Sequence, residues 1–211
     1  FLDRATVRQA LRGSDWVFHL VSTTLPASSN ENMVFDVQSN VVASVELLEE
    51  CRHQGVEKLV FASSGGTVYG VPESLPATED TPTRPVVSYG ISKLMIEKYC
   101  YLFRHQFGLN SICLRLANPF GPGHHGAAQG AISVFLKRLL QNQPITLWGD
   151  GSVVRDYLYI ADAARAFLQA ARYRGSRHVF NIGSGRGHSL NEVLTRLEVV
   201  TGRRPEGIFE A

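Results

Sequence analysis

A tyrosine and a lysine, Tyr89 and Lys93, stand four residues apart in a stretch with the pattern of a long helix. At that spacing both side chains point to one face of the helix. A phenol is a poor acid or base at neutral pH, because its ordinary pKa is about 10. A nearby ammonium group stabilises the phenolate and lowers that pKa toward the working range. The pair could therefore transfer protons, although a surface Tyr–Lys pair at this spacing also occurs often by chance.

A second group of candidate residues precedes this pair. The segment SSGGTVYG, residues 63–70, follows a short apolar run that is typical of a buried strand. Hydroxyls and glycines placed directly after a strand of a parallel sheet can meet a ligand, although a plain turn has the same composition. Together with Tyr89 and Lys93, the segment predicts one site that contains a hydroxyl, a phenol and an ammonium group.

Alternating strands and helices must position these residues. Apolar runs predict strands at 15–21, 58–62, 111–117, 145–148, 155–160 and 178–182. Helical spacing predicts helices at 36–54, 88–107, 132–141, 162–172 and 189–201. Strand–helix–strand repeats with short loops predict an α/β fold, a doubly wound parallel sheet covered by helices on both faces. Ligands of such sheets bind at the carboxyl ends of the strands, which is where the unusual residues lie.

The regular alternation of strand and helix loosens after Ala117. We expect residues 1–117 to form a dinucleotide-binding domain, and residues 118–211 to contain the rest of the sheet with a small, partial substrate-binding domain. The chain begins at Phe1 within polar, helix-like sequence and stops at Ala211 after a turn-rich segment. We therefore expect a piece of a longer protein.

Composition narrows the classes of function. The chain of 211 residues is 44% hydrophobic and 19% charged, as in ordinary soluble globular proteins. Its net charge of +2, with mixed signs, and the lack of a long apolar run predict neither a nucleic-acid partner nor a membrane span. Three cysteines without a CxxC motif predict buried free thiols and a reducing cytoplasm. The histidines lack metal-ligand spacing, and His124–His125 is typical of a solvated turn, so no metal is expected.

Four segments of the chain resemble the extended short-chain dehydrogenases/reductases, most closely the UDP-glucose 4-epimerases and their relatives. They are KLVFASSGGTVYG at 58–70, SYGISKLMIEKY at 88–99, LRLANPFGPG at 114–123 and GDGSVVRDYLYIADAARA at 149–166. The resemblance runs from Asp15 to about Gly202. It implies a Rossmann-like NAD(P)-binding fold whose N-terminal βαβ segment, with its Gly-rich turn, would lie upstream of Phe1.

The resemblance also implies roles for individual residues. Tyr89 would be the acid/base on the sugar 4-hydroxyl, and Lys93 would bind the nicotinamide ribose and lower the pKa of Tyr89. Residues on the cofactor side would be His19, Leu20, Val21 and, by a looser match, Asn40. Asn118 and Arg155 would bind the diphosphate of a nucleotide sugar. A turn at Asn118 and a local Arg155–Asp156 ion pair are the alternatives.

The catalytic hydroxyl can be assigned in two ways. Ser64 lies 25 residues before Tyr89, which is the spacing that the resemblance leads us to expect. Counting back from Val68-Tyr69-Gly70 instead points to Gly65, which has no side chain. We interpret the discrepancy as an extra glycine in this loop, which makes Ser64 the first choice and Thr67 the second.

The resemblance thus implies an NAD-dependent 4-epimerase of a UDP-hexose, acting through a 4-keto intermediate as a homodimer. The alternatives are a sugar-nucleotide 4,6-dehydratase or a reductase of the same superfamily, and a non-catalytic NAD(P)-binding scaffold. Dehydratases carry an Asp–Glu pair after the catalytic hydroxyl, whereas this chain has Gly65–Gly66. Intact Tyr89 and Lys93 argue against a scaffold.

The glycine-rich segment 183–187 is not expected to be a dinucleotide-binding turn. The G-x-G-x-x-G motif would need glycine at position 188, which is His188 here, so we interpret the segment as a strand–turn–helix connection.

Overall fold

The computed structural model describes residues 1–124 and 130–210, which form two compact units. The first unit contains Phe1–Leu116 and Ala164–Ile182, and the second contains Ala117–Ala163 and Gly183–Ala211. The first segment of unit one ends at Leu116, one residue before the domain boundary expected at 117/118. Residues 164–182, which the sequence places in the second part, belong to the first unit because they supply a strand of its sheet.

The first unit is an α/β structure built on a parallel sheet. Its elements are α1 (Arg4–Ala10), β1 (Trp16–His19), α2 (Met33–Asp36), a π-helical segment (Val37–Val42), α3 (Ala43–Gln54), β2 (Lys58–Ser64), α4 (Ser88–Phe107) and β3 (Ser111–Leu116). Most of α6 (Ile160–Arg172) and β7 (Val179–Ile182) complete it. The sheet has the strand order β1-β2-β3-β7 and is parallel throughout, with Ser64 opposite Leu116 at the end of β2. The predicted parallel α/β fold is confirmed.

The core lies on both faces of this sheet. Leu59, Val60 and Phe61 of β2 are fully buried, as expected for a strand covered by helices on each side. Apolar side chains of α3 and α4 pack on one face, and Ala170 and Ala171 of α6 pack on the other. The three cysteines, Cys51, Cys100 and Cys113, are buried free thiols in the core on the face covered by α3 and α4, as predicted.

The helix expected at 36–54 begins earlier and is not regular. It starts at Met33 and contains the π-helical segment Val37–Val42 before α3 begins. Polar side chains bond to backbone carbonyls here: Ser39 Oγ donates to Phe35 O at 2.6 Å and Asn40 Nδ2 to Asp36 O at 3.1 Å. Such bonds compete with the regular helical ladder, and π segments often mark functional regions.

Among its described residues, the second unit contains two small sheets, two complete helices and the first turn of α6. Its elements are β4 (Asn118–Phe120), α5 (Ala131–Leu140), β5 (Ile145–Trp148), β6 (Val154–Tyr159), β8 (Gly187–Ser189), α7 (Leu190–Thr201) and β9 (Gly207–Glu210). The sheets have the orders β4-β6-β8 and β5-β9. Helix α7 begins with a complete capping box, because Ser189 Oγ accepts from Glu192 N at 3.1 Å and Ser189 N donates to the Glu192 carboxylate at 2.7 Å.

The first helix is attached to α3 by ion pairs, and Glu50 is the buried carboxylate among them. The Glu50 side chain is buried, and it accepts hydrogen bonds from Arg8 Nε at 2.9 Å and from Arg4 Nε at 2.8 Å. Hydrogen bonds from Arg8 and then Arg4 lower the pKa of Glu50 from 4.5 to about 2. A carboxylate with a lowered pKa stabilises the fold above its unfolded-state pKa and loses that contribution as the pH falls toward the folded value.

We expect Glu50→Gln to lower the free energy of unfolding at pH 6, because the amide cannot replace the charged hydrogen bonds to Arg4 and Arg8. The difference from the wild-type protein should shrink as the pH falls from 5 toward 2, since the carboxylate of the unfolded protein is protonated below about 4.5 and that of the folded protein only near 2. Urea denaturation of both proteins across this range measures the difference. A difference independent of pH would contradict the assignment.

Candidate active site

Tyr89 and Lys93 lie on one face of α4, against the carboxyl end of β2. Lys93 Nζ is 5.4 Å from the centroid of the Tyr89 ring and 4.9 Å from that of the Phe61 ring. It donates a hydrogen bond to Ala62 O at 2.9 Å, and the lysine is only 5% exposed. The helix therefore holds a buried ammonium group directly beside the phenol, in the geometry of a cation–π contact.

The charges of this pair depend strongly on burial. Burial lowers the pKa of Lys93 from 10.5 to about 8, and the negative charge of Asp36 opposes this. Burial raises the pKa of Tyr89 above 10, Asp36 adds to the increase, and a hydrogen bond with Ser22 acts against it. The pKa of Tyr89 is thus raised, whereas the sequence predicted that Lys93 would lower it. Loss of hydration disfavours the phenolate and outweighs that effect.

The turn after β2 packs against the first turn of α4. Ser64 is the last residue of β2, and its carbonyl accepts hydrogen bonds from Thr67 N at 3.4 Å and Val68 N at 3.2 Å. A Cβ at Gly90 would lie 2.8 Å from Thr67 O, so only glycine fits beside Tyr89. Ser64 is half-buried, whereas Thr67 Oγ1 is buried without a hydrogen-bond partner in the described structure. The structure thus brings the turn of both candidate hydroxyls to the helix that carries Tyr89.

Gly65 fills the position after Ser64 where a side chain has little room. A Cβ there would lie 3.2 Å from both Arg115 O and Leu116 O. Its backbone N–H donates to Leu116 O at 2.8 Å, which holds it against the end of β3. A carboxylate side chain at this position would require the backbone to move.

Three of the residues predicted on the cofactor side lie at the end of β1 or directly after it. His19 is buried between the rings of Phe1 and Phe61, with centroid distances of 5.3 and 5.2 Å, and its Nε2 is 2.8 Å from Ser44 Oγ. Burial and then the charge of Lys93 lower the pKa of His19 to about 3, so the ring is neutral at pH 7. Leu20 and Val21 are exposed after the strand end. His19 is therefore a packed interior residue, whereas Leu20 and Val21 are exposed residues that a ligand could contact.

Asn40 positions the segment that follows Val21. Its Oδ1 accepts from Thr23 N at 2.9 Å, and its Nδ2 donates to Asp36 Oδ1 at 3.0 Å. The side chain is buried and these contacts use both its acceptor and its donor groups. In this structure Asn40 thus shapes the segment after β1.

Asp36 is the residue of this region that sequence analysis missed. Its carboxylate is fully buried and accepts hydrogen bonds from Ser88 Oγ at 2.7 Å and Ser92 Oγ at 2.6 Å, as well as from Thr24 Oγ1. Burial raises its pKa, but the hydrogen bonds from Ser92, Thr24, Ser88 and Asn40 together outweigh it and hold the pKa below 3.8. The signal in the sequence is an acidic residue with apolar neighbours on both sides, in MVFDV at 33–37.

The N-terminus of α4 is capped by a distant part of the chain. Val87, which precedes the helix, makes no side-chain capping bond. Instead Asn30 Oδ1 accepts from Ser88 N at 2.9 Å, and Ser29 Oγ accepts from Tyr89 N at 3.1 Å. The first backbone N–H groups of a helix need such partners, so the orientation of Tyr89 depends on residues 29–40.

Two turns beyond Tyr89, the same helix face carries a buried ion pair. Arg115 of β3 donates to both carboxylate oxygens of Glu97, with Nη2–Oε2 at 2.7 Å and Nε–Oε1 at 3.0 Å. Ser63 Oγ donates to Glu97 Oε1 at 2.5 Å. Arg115 Nη1 donates to the Tyr69 hydroxyl at 2.8 Å, and Tyr69 donates to Asn181 Oδ1 at 2.6 Å. The pair therefore fixes both ends of the 64–68 turn relative to α4.

Asn118 and Arg155 belong to the second unit. Asn118 starts β4, and its Nδ2 donates to Asp156 O at 3.0 Å across the pairing with β6. Arg155 is exposed, and its Nη1 donates to the neighbouring Val154 O at 2.8 Å. The Asp156 carboxylate accepts from Ser184 N and Gly185 N, both at 2.9 Å. The guanidinium of Arg155 thus reaches solvent, where it could meet an anion.

The polar groups after β1 and β2 fit a dinucleotide better than a metal ion. Lys93 uses one of its N–H donors on Ala62 O, and an ammonium group can bond ribose hydroxyls with the others. No cluster of three His, Cys, Asp or Glu side chains that could hold a metal occurs among residues 1–124 and 130–210. His125 lies outside the described residues, and His124 Nδ1 is 3.0 Å from Ser133 Oγ.

Within the described chain, no helix is both long and apolar enough to cross a membrane.

Comparison with known proteins finds relatives along nearly the whole chain. It is 39% identical over 183 residues to a dTDP-4-dehydro-6-deoxyglucose reductase of Escherichia coli, covering 86% of this chain and 58% of that protein. It is 35% identical over 195 residues to a UDP-glucose 4-epimerase of Mycolicibacterium smegmatis, covering 92% of this chain and 62% of the relative. The chain thus spans about three fifths of the length of these relatives.

Solved structures give the same result. A UDP-glucose 4-epimerase of Thermotoga maritima, crystallised with UDP-glucose, superposes with a TM-score of 0.93 at 34% identity. The match covers 99% of this chain and 69% of that one. Residues 1–183 also match the model of the NAD dependent epimerase/dehydratase family. With Tyr89 and Lys93 placed at the end of β2, these similarities show that the chain belongs to the NAD dependent epimerase/dehydratase family.

Proposed function

We propose that the full-length protein is a cytoplasmic enzyme that inverts C4 of a UDP-hexose with NAD as its cofactor. The observation that carries this proposal is the buried Tyr89–Lys93 pair at the carboxyl end of β2, in a chain of this family. The identity to a UDP-glucose 4-epimerase and the likeness to one crystallised with UDP-glucose support the substrate class. The three free, buried cysteines are compatible with a reducing compartment.

In this proposal Tyr89 moves the proton of the sugar 4-hydroxyl. Its phenolate would accept that proton as the C4 carbon is oxidised, and the phenol so formed would return it when C4 is reduced from the opposite face. Ser64, at the end of β2, would hydrogen-bond the same sugar oxygen and fix its position, with Thr67 as the second candidate. A positive charge close to the phenol favours the phenolate, and Lys93 is the cation that the structure places there.

The cofactor would be held on the β1 side of the same unit. When bound, NAD supplies the hydride acceptor and donor for C4. Lys93 would hydrogen-bond its ribose hydroxyls, and the exposed Leu20 and Val21, next to the segment that Asn40 holds in place, would line it with His19 behind them. In the second unit, Asn118 and the exposed guanidinium of Arg155 would bind the diphosphate of the nucleotide sugar.

The region after Ser64 disfavours a dehydratase. Elimination of water across C5 and C6 needs a base and an acid within hydrogen-bond reach of the sugar. Gly65 and Gly66 provide neither, and a Cβ at Gly65 would lie only 3.2 Å from two backbone carbonyl oxygens. The next acidic residue along the chain, Glu73, is exposed and pairs with Arg84 at 3.4 Å.

A reductase of a 4-keto sugar nucleotide is the second candidate, because the Escherichia coli reductase is 39% identical to this chain. The two reactions use the same proton-transfer groups and differ in their redox balance. A reductase consumes one reduced nicotinamide per sugar, whereas an epimerase returns the hydride to its own substrate and needs no added reductant.

The full-length protein should interconvert UDP-glucose and UDP-galactose without added NADH or NADPH. Proton NMR of the sugar measures the 4-epimer, and UDP-N-acetylglucosamine offered in parallel tests the size limit. Oxidation of NAD(P)H in proportion to a supplied dTDP-4-keto-6-deoxy sugar, with no 4-epimer formed, would instead establish the reductase. A 4-keto-6-deoxy product from dTDP-glucose would establish a dehydratase.

Tyr89→Phe should reduce turnover by about 10²–10⁴-fold, since general acid–base steps contribute that much to a rate. Binding of NAD should stay nearly unchanged, because the ring and its contact with Lys93 remain. Steady-state kinetics and calorimetry on the same preparation measure both quantities. A loss of less than about tenfold would mean that another group transfers the proton.

Ser64→Ala should lower kcat more than Thr67→Val does. Ser64 lies at the strand end, whereas the Thr67 hydroxyl is buried without a partner in the described structure. Replacing that hydroxyl by a methyl group removes an unsatisfied polar group, so Thr67→Val should keep or raise the stability. Thermal denaturation is the control, and a larger loss of kcat in Thr67→Val would reverse the two assignments.

The proposed homodimer has a candidate surface in the first unit. Exposed apolar side chains occur on the outer face of α4 at Ile91, Met95 and Leu102, and on the adjoining helix at Val34 and Val42. Exposed apolar side chains grouped on helices that pack together are typical of protein–protein contacts. We expect light scattering to give the mass of a dimer, and Met95→Glu to shift it toward the monomer. A monomeric wild-type protein would contradict this proposal.

A further inference from the structure

The carboxylate of Asp36 is a buried charge held by neutral groups. A charged group in a protein interior is costly unless hydrogen bonds replace its hydration. Both oxygens of Asp36 are satisfied: Oδ2 by Ser88 and Ser92, and Oδ1 by Asn40 and Thr24. Within residues 1–124 and 130–210, no Lys, Arg or His forms an ion pair with it. Its stabilisation therefore depends on keeping all of these donors in place.

The donors to Asp36 lie on the segments that surround the phenol of Tyr89. Ser88 immediately precedes Tyr89, and Ser92 lies one turn later, directly before Lys93. Thr24 lies on the segment after β1, where its carbonyl accepts from Ser22 Oγ at 3.2 Å, and interaction with Ser22 acts to lower the pKa of Tyr89. One carboxylate thus joins the first two turns of α4 to the segment that the phenol faces.

This link works together with the capping of α4 by Ser29 and Asn30. Those two residues accept from the backbone N–H groups of Tyr89 and Ser88, while Asp36 accepts from side-chain hydroxyls of the same helix. A negative charge near the first turn is also favoured by the helix dipole. The backbone position of Tyr89 is therefore set from residues 24–40, with Asp36 as the central acceptor.

We propose that Asp36 is a positioning residue for proton transfer at Tyr89, an inference that rests on the proposed function of that tyrosine. Its hydrogen bonds to Ser88 and Ser92 hold the phenol in the orientation that the sugar hydroxyl requires. Its charge acts in addition on the phenol and on the ammonium group of Lys93. Misplacement of a reacting group by about 1 Å can cost about 10²-fold in rate, so this positioning has a measurable effect.

The charge of Asp36 shifts the pKa values of its neighbours in a definite direction. The titratable groups around Asp36 are Tyr89 and Lys93 on α4, with His19 of β1 facing Lys93. The negative charge of Asp36 raises the pKa of both Tyr89 and Lys93. His19 is neutral above pH 3 or so, and Lys93 loses its charge near pH 8, below the range in which Tyr89 titrates. Removing the charge of Asp36 should therefore lower the pKa of Tyr89.

A spectroscopic titration tests this without relying on turnover. Ultraviolet absorbance of phenolate is followed against pH in the wild-type protein and in Asp36→Asn, and each is compared with the same protein carrying Tyr89→Phe. The Tyr89 midpoint should fall by on the order of one pH unit in Asp36→Asn. Glu50→Gln, which removes the charge of another buried carboxylate, is the matched control and should leave the midpoint unchanged.

Variants that keep the charge test the positioning part. Ser88→Ala and Ser92→Ala each remove one donor to Asp36, and together they should lower kcat by about tenfold with KM within about twofold. The double serine variant also decides the question if Asp36→Asn does not fold. Turnover close to wild type in the serine variants, or a Tyr89 midpoint unchanged in Asp36→Asn, would overturn the proposal. Full turnover in Tyr89→Phe would contradict the proposed function instead, while the titration still measures the action of Asp36 on Tyr89.

Discussion

The buried ion pair of Glu97 and Arg115 connects helix α4, strand β3 and the turn that follows β2. Arg115 lies on a central strand, and Glu97 lies two turns after Tyr89 on the face of α4 that meets the sheet. Both side chains are almost fully buried, so loss of either partner would leave an uncompensated charge and cost about 3–5 kcal/mol. Because Ser63 and Tyr69 bond to the same pair, the 64–68 turn cannot shift without breaking it.

A second polar cluster, centred on Asp36, restrains the other end of the same helix face. Here the acceptor lies outside α4 and two of its donors, Ser88 and Ser92, lie on the helix, whereas at Glu97 the acceptor lies on the helix. Tyr89 and Lys93 lie between the two clusters, in a part of the helix that also contacts the ring of Phe61. Rigid support of this kind is what a proton-transfer group needs, because its rate depends on sub-ångström placement.

The sequence predicts most elements because their signals are local. Strands buried on both faces leave continuous apolar runs, and α3 and α4 end at Gly55 and Gly108, both in the left-handed conformation that glycine favours. The face shared by Tyr89 and Lys93 follows from the helical period. The role of Asp36 could not be predicted in this way, because Ser92 lies 56 residues away along the chain. The raised pKa of Tyr89 depends likewise on tertiary burial, which its local spacing does not report.

The three cysteines of the first unit give its core a chemical reporter of opening. Burial raises the pKa of Cys51 to about 12, and contact with Cys100 together with burial raises that of Cys113. Thiols react as thiolates, so an alkylating reagent can modify these two only after the sheet and helices that cover them separate. The rate of modification under native conditions therefore reports how often the core around α4 opens, in the way that amide hydrogen exchange does for the backbone.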